Sequence, residues 1–83
     1  MHAAALEGYG SIAVAKLVGI SLRQLYYWVN VLHVVHPQVD VHGCRAFRRF
    51  TEADVARLRT MKSHVDEGYT VRAAAMLVSG RDA

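Results

Sequence analysis

A single cysteine, Cys44, stands among the 83 residues. No internal disulfide framework can hold this chain, and a reducing cytosol is the expected compartment. No apolar run approaches the roughly 20 residues that a bilayer span needs, so no membrane partner is expected. The opening Met1-His2-Ala3-Ala4-Ala5-Leu6 lacks a basic start and is too short for a signal peptide. Catalytic parts are missing too: no glycine-rich phosphate loop, no paired carboxylates in an apolar setting, no nucleophile elbow. One core of this size leaves little room for a substrate pocket. The chain is therefore expected not to be an enzyme and to carry no cofactor. His33, His36, His42 and Cys44 lie in one stretch, but their spacing matches no common zinc pattern, and no metal site is expected. There is no internal repeat and no low-complexity tract.

What the sequence does contain points to one small folded domain. Hydrophobic residues make up 53% and charged residues 20%, which suits a globule and not a disordered tail. Residues 1–8 are small and apolar without a clear period and read as a flexible N-terminus; residues 9–80 read as the domain. The formal charge is only +3, but its placement is uneven. Residues 8–50 carry Lys16, Arg23, Arg45, Arg48 and Arg49 against Asp40 alone, whereas later bases and acids balance. A polyanion is the natural partner for such a segment, although a solvated basic face has the same composition.

The most informative stretch is Ala15–Trp28, AKLVGISLRQLYYW. Gly19 suits the left-handed exit from a short apolar helix, and Ser21 offers an N-cap oxygen to a second helix. The first helix is expected to begin near Gly10 or Ser11, with Ser11 as its cap and Val14, Leu17 and Val18 as its buried stripe. The second is expected over about Leu22–Asn30, burying Leu22, Leu25, Val29 and Leu32. Arg23, Tyr26, Tyr27 and Asn30 fall on its other side, and Trp28 reads as a packing residue. Two helices crossing closely at a turn of this kind form the helix-turn-helix that sets a recognition helix in the DNA major groove. Arg can bond guanine edges or phosphates, Asn can read adenine, and tyrosine hydroxyls contact phosphates. Lys16 and Ser21, flanking the turn, complete this candidate set. An ordinary wet face packed by a neighbouring loop would show the same residues.

Val34-Val35-His36-Pro37 predicts a short edge strand, and Gln38–Cys44 reads as a loop. Arg45–Phe50 predicts a bend or short strand. The two segments are expected to pair as a small wing projecting Arg45 and Arg48 or Arg49 toward phosphates. Alternatively, Phe47 and Phe50 cap the core and the arginines only keep the surface wet. Thr51 and Asp54 predict a capping box for a third helix, with Val55, Leu58, Met61 or Lys62, and Val65 inward and Gly68 as its stop. Thr70 caps a fourth, whose inner residues are Val71, Ala74, Ala75 and Val78. The predicted fold is mainly α: a winged helix-turn-helix with a two-stranded hairpin wing and two further helices.

In order, GIS-x-RQL-x-YW, VVHP, G-x-R-x-FRRFTEADVARL and DEGYTVRAA resemble the DNA-binding domain of the mercury-resistance-regulator (MerR) family, over about residues 9–78. The form resembles members from high-GC bacteria. The resemblance implies that Arg23 and Tyr27 contact DNA from the recognition helix, that Trp28 is structural, and that Arg48 contacts the phosphate backbone from the wing. Tyr26 stands where the family usually has arginine, and Val29 where an acid is usual. It further implies a bacterial, cytoplasmic, nucleoid-associated transcription regulator without metal or cofactor. Its partners would be double-stranded DNA and a second copy, forming a homodimer on a pseudo-palindrome or in a longer protein. Full members continue into a dimerisation helix and an effector domain, so the chain is expected to be an excised domain or a small stand-alone relative. Two other functions fit: an excisionase-like architectural DNA-binding protein, and a protein-interaction module binding a partner helix through the aromatic face.

Overall fold

Cap chemistry sets most of the element boundaries. The computed structural model describes residues 8–79. In chain order it contains α1 (Ser11–Val18), α2 (Leu22–Asn30), β1 (Gln38–His42), β2 (Arg45–Arg49), α3 (Glu52–Asp66) and α4 (Val71–Ser79). This is the mainly helical, winged arrangement that the sequence predicts. Gly19 ends α1 at φ 85, a left-handed backbone that costs glycine no side-chain clash. Ser21 Oγ then accepts from the Gln24 N–H, and the Gln24 side chain accepts from the Ser21 N–H, closing a capping box on α2. Thr51 and Asp54 build the same device on α3. Thr70 Oγ1 accepts from the Ala73 N–H at 3.1 Å at the start of α4.

The helices meet over one core. Trp28, Phe50, Leu25, Leu58, Met61 and Val14 are its largest fully buried side chains. Met61, and not Lys62, continues the α3 stripe. Ala74 and Ala75 are the buried residues of α4, and their small side chains let that helix approach α3 closely. Tyr9 and Phe50 exchange two backbone hydrogen bonds of 2.8 Å, which tie the start of the domain to the entry of α3. No helix among the described residues is long and apolar enough to cross a membrane.

Four local expectations are corrected. Ser11 does not cap α1: Gly10 holds the N-cap position with extended backbone and no side-chain bond. The extended stretch that pairs Tyr9 with Phe50 ends at Gly10, so Ser11 is the first residue of the helix and the cap lies one residue earlier than expected. Leu17 is 41% exposed, because the α1 stripe is Val14, Ala15 and Val18. Val34–Pro37 is not a strand. His33 takes a left-handed turn at φ 54, the Val34 N–H bonds the Trp28 carbonyl, and Val34 and Val35 both enter the core. Gln38–Cys44 is not a loop throughout; its first five residues are β1. Pro37 precedes the strand, where its missing N–H leaves the ladder intact.

β1 and β2 pair antiparallel from Gln38 opposite Arg49 to His42 opposite Arg45. Gly43 and Cys44 make the turn, with Gly43 at φ 64. A glycine of positive φ at the first of two loop positions suits the right-handed twist of a hairpin. Of the two phenylalanines, Phe50 caps the core while Phe47 is 46% exposed.

Candidate nucleic-acid interface

Arg23, Tyr26, Tyr27 and Asn30 stand three, four and seven residues along α2, a spacing that keeps them on one helical face. All four are exposed. Leu25, Trp28 and Val29 point the other way and anchor the helix in the core. Val29 is 6% exposed and is used for packing.

Arg48 and Arg49 are consecutive in β2 and so leave the ribbon on opposite faces. This decides their partners. Arg48 turns toward α2. Its Nη2 donates to Asn30 Oδ1 at 2.6 Å, and its guanidinium carbon lies 5.7 Å from the centre of the Tyr26 ring, within cation–π range. Arg49 turns away and ion-pairs with Asp40, while its aliphatic stem packs near Gly8. A side chain at Gly8 would collide with it, and the φ of 98 there independently favours glycine.

The electrostatics follow from these partners. The charge of Arg49 is offset by Asp40, and that of Lys62 by Asp66 at 2.7 Å. Among the described residues no carboxylate lies within ion-pair distance of Lys16, Arg23 or Arg48. Arg48 is held by an amide and a phenol, both neutral, so its full charge remains on the surface it shares with α2.

Between the start of α1, the second half of α2 and the wing lies a groove of about 800 Å³, lined by Ser11, Ile12, Tyr26, Asn30, Val39 and Arg48. Ile12 and Val39 are more than half exposed there. Neither was among the residues singled out from sequence, because an isolated exposed aliphatic carries no pattern. Of the Ser21–Gln24 box only the Ser21 cap is among the sequence expectations; the S-x-x-Q spacing is the signal that could have found Gln24.

The remaining candidates lie on other elements or at the helix start. Lys16 is exposed in the last turn of α1, where a cation complements the helix dipole. Ser21 Oγ is engaged by the Gln24 N–H at 3.1 Å. Arg45 sits in β2 opposite His42, and its side chain lies outside the described residues. The imidazoles of His33 and His36 stack at 6.2 Å with their planes 14° apart. Among the described residues no three His, Cys, Asp or Glu side chains gather as a metal site would require.

The family model for MerR HTH family regulatory proteins matches residues 9–81, nearly the whole chain. Among curated proteins no relative matches.

Proposed function

The chain belongs to the MerR helix-turn-helix family of DNA-binding transcription regulators, and from that premise we propose that it binds double-stranded DNA sequence-specifically in a bacterial cytoplasm. In this reading α2 enters the major groove, with Arg23 and Tyr27 as its principal contacts and Tyr26 and Asn30 beside them. The wing lies on the flanking backbone through Arg48. Lys16, Ser21 and Arg45 contact phosphates at the margin, whereas Arg49, paired with Asp40, stays off the DNA. Two copies occupy a pseudo-palindrome and distort it.

The observation that carries the reading is the charge pattern around α2. Arg23 and Arg48 share the exposed α2 face and have no carboxylate partner among the described residues, and Arg48 is bonded directly to the helix proposed to enter the groove. Cations left uncompensated on one surface suit a phosphate backbone, where their counterions are released on binding.

Selection of bound sites from a random duplex pool, followed by titrations at several salt concentrations, tests this. An enriched sequence with affinity falling steeply with salt is the expected result. No enrichment and shallow salt dependence would favour a protein partner on the aromatic face and overturn the reading.

A further inference from the structure

We infer that Asn30 is a positioning residue for Arg48, and that it does not read a base. The inference rests on the DNA-binding reading and assigns different work to two residues of that site.

The argument begins with the amide. Asparagine reads adenine by a bidentate pair in which Oδ1 accepts from the base and Nδ2 donates to it. Asn30 Oδ1 already accepts from Arg48 Nη2 at 2.6 Å. That short, charge-assisted bond is among the stronger kinds of hydrogen bond. Asn30 is the last residue of α2, so its side chain lies at the end of the exposed face, where the wing comes closest. The Tyr26 ring supports the same guanidinium from one turn earlier.

Arg48 has the complementary inventory. A guanidinium carries five N–H donors in a planar fork. One is committed to Asn30, and the rest remain for phosphate oxygens. A long arginine on a two-stranded ribbon would otherwise sample many rotamers, and fixing it on binding costs entropy. The amide and ring hold it beforehand, at a fixed offset from Arg23 and Tyr27. The wing and the helix thus meet DNA as one surface.

The test has two parts. In the free protein, Asn30→Ala should speed rotation of the Arg48 guanidinium, read from its side-chain NMR signals. Identical signals in wild type and variant would overturn the inference without reference to DNA. With DNA, Asn30→Ala should lower affinity roughly threefold to tenfold, within the range of coupling between contacting side chains, and equally on selected and random duplexes. The loss should vanish in an Arg48→Ala background. Asn30→Asp, whose carboxylate would offset the charge of the guanidinium, should bind about as weakly as Arg48→Ala. A loss confined to the selected sequence, or one that persists without Arg48, would make Asn30 a base reader. Wild type that binds no duplex would instead remove the DNA-binding reading and this inference with it, even if the NMR signals show Arg48 held.

Discussion

The Nε of Arg59 donates to the Leu17 carbonyl oxygen at 3.3 Å, joining the middle of α3 to the last turn of α1. The carbonyls at the end of a helix have no partner within that helix. Arg59 supplies one to α1 just before the Gly19 turn, and Arg57 reaches the Val78 carbonyl of α4 in the same way, at 3.5 Å. These two arginines therefore brace the scaffold, while Arg23 and Arg48 face outward from it.

Arg59→Ala should lower stability by about 0.5–1.5 kcal/mol, the usual net worth of one hydrogen bond, toward the low end at this exposed site. Its salt slope for DNA should stay as in wild type. Urea unfolding and salt titration check the two halves. A flattened slope would mean that Arg59 contacts DNA itself.

Gly19→Ala should destabilise the turn by about 1–2 kcal/mol, the cost of a left-handed backbone for a residue with Cβ. The nearest atom to an added Cβ is Lys62 Cε at 3.8 Å, so the effect is conformational and not a collision. Thermal unfolding measures it. An unchanged midpoint would show that the backbone there relaxes freely.

The Tyr9 hydroxyl donates to the Glu52 carboxylate, and this bond, reinforced by the negative charge, holds the phenol above its ordinary value of 10.0. A raised pKa means stabilisation that is complete below the unfolded value and is lost as pH climbs through the folded one. Tyr9→Phe should accordingly be less stable than wild type at neutral pH, and the gap should close above about pH 10. Denaturant unfolding at stepped pH decides it. A gap constant through the alkaline range would place the hydroxyl's contribution elsewhere.

Arg23→Ala should weaken binding to a selected site by about 1–3 kcal/mol and relax preference at one position, if the guanidinium makes a bidentate base contact. Competition titrations with single-base variants of the site measure this. Equal losses on selected and random duplexes would reassign Arg23 to a phosphate.

Elements governed by neighbours in the chain were legible from the residues alone. Ser21, Thr51, Gly19 and Gly68 mark helix ends, because caps and left-handed exits involve groups only a few bonds apart. The stripes of α2 and α3 follow from spacing for the same reason. The wing was misplaced because Val34-Val35 is locally strand-like. Its two valines serve the core, while the strand beyond Pro37 alternates as Gln-Val-Asp-Val-His with both ribbon faces largely open to water.

The division of labour between Arg48 and Arg49 was not legible in the pattern of the residues; only the resemblance singled out Arg48. Both are arginines in one strand, one residue apart. Which one carries a charge that no carboxylate offsets depends on hairpin register and on which ribbon face meets α2. The sequence by itself determined four helices, their caps and a basic surface, since local bonding and periodicity suffice for those. Only the tertiary structure chose Asn30 for Arg48 and Asp40 for Arg49. Partners nine and eighteen residues away are selected by how packed elements face each other, and no local pattern in the chain records that.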